Sequence, residues 1–450
     1  MLEKKYNLLT NIFIVSIVFI CIFNIFHYDP IEGYDAEGHY EYVNHLSRYL
    51  PRDINLPNVE NSREFFNPPI GYLIPSFTQV ICRNVLNSST LFEDCIPIYA
   101  TVTQIAQFIL YLATIFINIK TVSLFFNNLK NIKFEYLLLV SLMSVNYRAI
   151  LQIRGEPYIM FFLSCLLYIL LVAEKNNFEP NVNLVVKLGL TIGFLALSRQ
   201  WAFLLFPTFL IIYFWIPRFQ KLNYFKLVSG SFVISFLMSS WYYFSLFARF
   251  GTFTAFNKDP VGFNFRNQPL NFYIPSLDDI SLIFSQPIRP NFSNQFISIL
   301  YSDYWGDYWG YFSFTSRKLE IGRNQHLIGD YLARVNIVSI LATVFIVFSI
   351  FKLFALYKNS IFIKYIFFTV VVTLSGYLWF LINYPELPTG DTNKAVYMVQ
   401  LFNLLLVSSS IFLVYLREKK VVIYKLLVYY FIIIYIHNFS SYLSHFPYRF

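Results

Sequence analysis

The strongest constraint on this chain is a succession of apolar runs, each long enough to cross a bilayer, that fills most of its 450 residues. A span needs about 20 mostly apolar residues. Such runs are read at roughly 8–27, 97–119, 134–151, 157–173, 183–198, 199–217, 227–249, 334–356, 361–383, 395–416 and 420–437. In hydrocarbon the backbone N–H and C=O groups must be satisfied within the segment, so these runs read as helices. The expectation is an all-α polytopic membrane protein with about 11 transmembrane helices. Composition agrees: 57% hydrophobic, 21% aromatic and only 13% charged residues exclude a soluble globular fold. No internal repeat, soluble domain or low-complexity tail is visible, so 1–450 reads as one transmembrane domain.

Orientation follows from the basic residues. Lys4 and Lys5 precede the first run. Lys120, Lys130 and Lys133 fall in one connection, and Arg218, Lys221 and Lys226 in another. Lys358 and Lys364 occupy a third, and Arg417, Lys419 and Lys420 a fourth. Counted span by span, all lie on the side of the N-terminus, which the positive-inside rule makes cytoplasmic, with the C-terminus outside. The net charge of +9 is largely this bias and does not mark a nucleic-acid surface. No small-residue cleavage site follows the first run, so it reads as an uncleaved anchor. Two external connections are long, 28–96 and 250–333, and loops of that length are usually functional. Cys82 and Cys95 lie in the first of them, either as a disulfide in an oxidising compartment or as two thiols. Sequons at Asn87, Asn291 and Asn438 all fall on the external side.

The odd polar residues fall on that same side. Just past the first run comes Gly33-Tyr-Asp35-Ala-Glu37-Gly-His39-Tyr-Glu41-Tyr42, and ionisable groups at a membrane boundary usually mark a site. If 35–49 is helical, Asp35, Gly38, His39 and Tyr42 share one face, with Asp35 as N-cap or first-turn residue. Asn67-Pro68-Pro69 reads as a helix start with Asn67 capping. The apolar stretch after it, Ile70 to about Val85, is too short to span and fits a helix along the outer leaflet. Arg154-Gly-Glu156-Pro157 and Ser198-Arg199-Gln200 form two tight external turns. Asp303 and Asp307 sit in an aromatic run of the second long loop, and Asp391 and Lys394 precede the tenth run. The bland readings are turn markers for the arginines, an interfacial aromatic belt for 304–311 and a snorkelling Lys394.

The order of these residues resembles the GT-C membrane glycosyltransferases, especially the branch of protein O-mannosyltransferases and bacterial lipid-A sugar transferases. The resemblance is carried by a span, then Asp35 with His39 four residues on, a helix, and Asn67-Pro68-Pro69-Ile-Gly-Tyr72. The usual family patterns are Asp-Glu with a nearby His, and His-Pro-Pro. Here Ala36 replaces the Glu, whose acid comes one position later as Glu37, and Asn67 replaces the His. Arg154-Gly-Glu156-Pro157 and Asp391 to Tyr397 also look like family positions. The likeness implies transfer of a sugar, mannose most often, from a polyprenyl- or dolichyl-phosphate donor to a protein, glycan or lipid acceptor on the external side. It implies a carboxylate base, Asp35 with Glu37 as fallback, and Arg199, Lys394 and Arg154 as cations for the leaving phosphate. The membrane would be that of the endoplasmic reticulum in a eukaryote, or the plasma membrane in a bacterium.

No metal is required, although Asp35, Glu37 and Asp303 or Asp307 offer oxygen ligands for a weakly bound divalent cation. One histidine without a cysteine partner is a poor zinc signal. Trp305-Gly-Asp307-Tyr308-Trp309-Gly310 is similar to the Trp-Trp-Asp-Tyr-Gly signature of oligosaccharyltransferases, but that signature belongs to a soluble domain which this chain lacks. Two other classes compete. A transporter or flippase predicts charges near the midplane of broken helices and inverted repeats, against polar residues gathered at one face here. A non-catalytic relative is suggested by Ala36 and Asn67, and opposed by the presence of Asp35.

Overall fold

The computed structural model describes residues 2–29, 33, 35–85, 95–127, 132–292, 294–313 and 323–444. The sequon at Asn87 lies outside them. Among the described residues the chain forms 17 α-helices and no strand. They are α1 (Leu2–His27), α2 (Ala36–Tyr49), α3 (Ile70–Val85), α4 (Ile96–Phe125), α5 (Lys133–Ser141) and α6 (Ser144–Ala149). Next come α7 (Glu156–Lys175), α8 (Val182–Ser198), α9 (Pro207–Trp215), α10 (Lys221–Phe250), α11 (Leu270–Tyr273) and α12 (Leu277–Ile283). The chain ends with α13 (Phe296–Trp305), α14 (Arg323–Leu356), α15 (Ile361–Asn383), α16 (Val399–Lys419) and α17 (Val421–Asn438).

Eight of the eleven expected runs form helices long and apolar enough to cross a membrane. The other three do not, for local reasons. The run 134–151 breaks at Leu142-Met143 into α5 and α6, and every side chain from Phe134 to Ala149 is buried. That segment is packed within the bundle. The run 183–198 gives α8, 17 residues long, and stops because Arg199 is extended (φ −160°, ψ 148°). The run 199–217 opens as a 3-10 turn (Gln200–Leu205) before α9, whose first residue, Pro207, suits a helix start.

The central helix is α16, and 94% of its apolar window is buried. Its interior amide, Asn403, exchanges hydrogen bonds with Asn146 of α6 (3.4 and 3.2 Å), which satisfies polar groups no water reaches. The two ends of the bundle differ. At one end the connections are tied by Lys175 to Asn127 (2.6 Å), Gln220 to Asn177 (2.7 Å) and Arg417 to Glu135 (2.8 Å). Backbone N–H groups of Ile361 and Phe362 at the start of α15 donate to Glu174 there. At the other end lie α2, α3, the turns around 154 and 199, α13 and the loop 384–394, all of which contribute to the cluster described next.

The first long connection folds as the sequence suggests: α2 follows Asp35, and α3 runs over the anticipated Ile70–Val85. Cys82 and Cys95 form a disulfide, joining the end of α3 to the start of α4.

Candidate functional site

Asp35 occupies the N-cap position of α2, in the left-handed region at φ 56°, yet its side chain makes no cap hydrogen bond. Aspartate is one of the few residues that tolerates this region, and the turn aims the carboxylate away from the helix. Asp35 Oδ1 accepts from Arg63 at 3.1 Å, and Oδ2 from Lys394 Nζ at 3.0 Å and the Tyr397 hydroxyl at 3.4 Å. Burial opposes ionisation, but the Lys394 ammonium, with smaller help from Arg63, holds this carboxyl well below the usual carboxylate range. Lys394 in turn is buried, and the charge of Asp35 outweighs that burial and holds its ammonium above its ordinary value.

Beside this pair stands a second one. The chain turns sharply after α8, so that Arg199 Nε donates to Glu156 Oε1 at 2.9 Å. Its Nη1 donates to Asn67 Oδ1. A Cβ on Gly155 would run into the Ser198 carbonyl oxygen, so only glycine lets the start of α7 approach Arg199 this closely. Glu156 Oε2 has no hydrogen-bond partner among the described residues. The guanidinium of Arg199 lies 5.5 Å from the Tyr397 ring centroid and Lys394 Nζ 5.4 Å from it. One aromatic ring thus adjoins both cations.

Asn67 does not cap α3 as the sequence suggested. Helix α3 begins at Ile70, and the Asn67 amide lies between Arg199 and Glu64, accepting from the first and donating to the second. A charged guanidinium and a carboxylate are stronger partners than a helix N–H. Glu64 is the acid that sequence reasoning missed. It is only 4% exposed. Burial, and then the nearby Asp35 charge, push its carboxyl up to about 7. The available signal was Gly38: a Cβ there would press on Arg63 Cγ and Glu64 Cγ at 2.8 and 2.9 Å. Glycine on this face of α2 therefore lets the 63–64 segment close in.

His39 is buried and shares a hydrogen bond between Nδ1 and the Tyr72 hydroxyl at 2.7 Å. Burial first, then the charges of Arg154 and Arg199, hold its imidazole well below the ordinary value, so it is neutral. Arg154 is buried too, with its carbonyl against Gly71 of α3. The structure therefore gathers Asp35, His39, Asn67, Arg154, Glu156, Arg199 and Lys394, with Arg63, Glu64 and Tyr397 added.

Four sequence candidates lie elsewhere. Glu37 is on the exposed side of α2, and Asp391 is exposed on the loop before Lys394. Asp303 and Asp307 are buried around Arg148, whose Nη1 is 2.9 Å from Asp303 Oδ1 and 3.5 Å from Asp307 Oδ1. Asp303 Oδ2 also accepts from Ala395 N (2.7 Å), and Asp307 Oδ2 from the N–H groups of Phe312 (2.9 Å) and Ser313 (2.7 Å). The oxygen set of Asp35, Glu37 and Asp303 or Asp307 does not assemble, because Asp35 faces Lys394 while Asp303 and Asp307 face Arg148. Among the described residues no three His, Cys, Asp or Glu side chains converge to hold a metal ion.

One cavity adjoins the cluster, and a second adjoins that cavity. One, of about 220 Å³, is lined by Asn67, Arg199, Trp201 and Tyr397 together with Phe66 and Phe203. Phe203 also lines a larger groove of about 880 Å³ between α9 and α10, walled by Phe206, Leu210, Tyr213, Phe214 and Phe225. The pocket at Arg199 and the apolar trough thus share the Phe203 wall.

No protein-family model and no curated protein sequence matches the chain. Among solved structures it is similar to ArnT from Cupriavidus metallidurans bound to undecaprenyl phosphate, with TM-score 0.40 and 11% identity over 89% of this chain and 76% of that one. The apo state of the same protein gives 0.39 and 11% over 91% and 77%. The Archaeoglobus fulgidus oligosaccharyltransferase, tethered with an acceptor peptide, gives 0.46 and 11% over 97% of this chain. This chain spans 56% of that structure. Similarity this distant assigns no role to any residue, so the functional reading rests on the site itself.

Proposed function

We propose that this protein transfers a sugar, with mannose favoured, from a polyprenyl- or dolichyl-phosphate donor to a hydroxyl of a protein, glycan or lipid acceptor, with inversion. The observation that carries the reading is the meeting of Arg199, Lys394 and Arg154, from three distant segments, among carboxylates, with Arg199 lining a cavity that shares Phe203 with an apolar groove. In such a reaction the acceptor oxygen attacks the anomeric carbon opposite the phosphate. The carbon–oxygen bond to phosphate breaks, the lipid phosphate leaves with the electron pair, and a carboxylate takes the hydroxyl proton. Fixed cations in a site shielded from water stabilise the departing charge, and a guanidinium matches phosphate geometry with two donors. The groove between α9 and α10 accommodates the lipid chain while its head lies beside Arg199 and Trp201. Asp35, with both oxygens on cations, fixes Lys394 and Arg63 where the phosphate arrives. The protein would work in the endoplasmic reticulum membrane of a eukaryote or the plasma membrane of a bacterium.

The test is consumption of a panel of radiolabelled polyprenyl-phosphate sugars by purified protein in detergent, wild type beside Asp35→Asn. The wild type is expected to consume one donor, and the variant to lose at least about 100-fold in rate while inserting normally. Full activity of the variant would remove Asp35 from the site. No consumption of any donor by folded wild type would sink the transfer reading.

A further inference from the structure

We propose that Glu64, not Asp35, is the carboxylate that takes the proton from the acceptor hydroxyl. The inference rests on the sugar-transfer reading above and names the proton acceptor within it. A general base needs a lone pair that is free to bind a proton. Asp35 has both oxygens on cations, Oδ1 on Arg63 and Oδ2 on Lys394. Protonating it would break two ion pairs. Glu64 has one oxygen on the neutral Asn67 amide, and its Oε1 makes no hydrogen bond among the described residues. Its place is fixed on several sides: its backbone N–H donates to Ser62 Oγ at 3.0 Å, Ser62 Oγ donates to the Gly38 carbonyl at 2.7 Å, and Asn67 ties it to Arg199. It is therefore preorganised beside the cations that would hold the phosphate, as a base must be.

The charges around Glu64 support the same role. Asp35 raises its proton affinity, while Arg199 and Lys394 lower it, and the Tyr72 and Tyr397 hydroxyls complete its surroundings. The balance leaves a carboxyl poised near neutrality, where a base is most effective. Binding of an anionic phosphate to Arg199 and Lys394 offsets their pull and strengthens the base at the moment donor is present. During the reaction the acceptor oxygen bonds to the anomeric carbon and its proton passes to Glu64 Oε1. The neutral acid then gives that proton to water after the lipid phosphate leaves.

The experiment is the pH dependence of donor consumption for wild type, Glu64→Gln, Glu64→Asp and Glu64→Ala, using radiolabelled polyprenyl-phosphate mannose, glucose, galactose and aminoarabinose. Membranes of the expressing cells supply acceptor, and donor-site binding is read separately as the thermal shift caused by undecaprenyl phosphate. The base must be ionised, so the wild-type kcat/KM should rise with pH through about 7 and then level, with the kcat limb at higher pH because bound phosphate strengthens the base. Glu64→Gln should lose about 100-fold or more in kcat, lack that limb and keep its thermal shift, with added formate restoring part of the rate of Glu64→Ala. Glu64→Asp should keep a limb at a displaced pH. Turnover of Glu64→Gln within a few-fold of wild type overturns the proposal, as does loss of its thermal shift together with turnover. If Glu64→Gln does not fold, an undisplaced limb in Glu64→Asp overturns it. A wild type that consumes no donor fails earlier, and that failure belongs to the transfer reading.

Discussion

Two buried ion clusters adjoin at the same end of the bundle, linked through Lys394-Ala395, and they are built on opposite principles. Around Arg148 every carboxylate oxygen of Asp303 and Asp307 is engaged by the guanidinium or by a backbone N–H. That network is closed: it fixes the end of α13 and the start of the 395 turn and has no capacity for a ligand. Around Asp35 and Arg199 the network is open. The Asp35 side chain is 26% exposed, Glu156 Oε2 has no hydrogen-bond partner among the described residues, and a cavity lies alongside. Clustered charge thus serves shape in one place and chemistry in the other. What separates them is whether the hydrogen-bonding capacity is used up within the chain.

Breaking the closed cluster should have the largest effect on stability. Arg148→Ala leaves two buried carboxylates without their counter-charge, which should cost about 3–5 kcal/mol and yield little monodisperse protein in detergent. Thermal melting close to wild type would mean that the cluster is not the closed unit described here. Lys394→Ala sharpens the contrast. Asp35 retains Arg63 and solvent, so stability should change by about 1 kcal/mol or less, whereas donor KM should rise roughly tenfold or more for the loss of a charged contact. A melting loss as large as that of Arg148→Ala would place Lys394 in the structural class. Glu37→Gln should have the smallest effect, within about 0.5 kcal/mol in stability and nearly neutral in turnover. A large activity loss there would return Glu37 to the site as its second acid.

Much of the fold was legible because hydropathy is a local demand. An apolar run must satisfy its own backbone, so the positions of the eight long helices follow from composition alone, and Pro68-Pro69 announces α3 within a residue or two. The gathering of Asp35, Arg154, Arg199 and Lys394 at one end was legible too, because the charge bias of the connections sorts them by side. Other features depended on partners distant in sequence. Nothing near 134–151 says that this run is broken and packed inside the bundle, because its environment is made by α1, α4 and α16. Asn67 has good capping chemistry, and only the arrival of Arg199, 132 residues away, draws its amide elsewhere. Asp35 finds Lys394 359 residues later. Glu64 became part of the site because Gly38 lets the 63–64 segment close against α2. The sequence by itself determined which segments are helical and which end carries the charges. The tertiary structure decided which charges pair, since an ion pair is fixed by distance and desolvation, which no local pattern encodes.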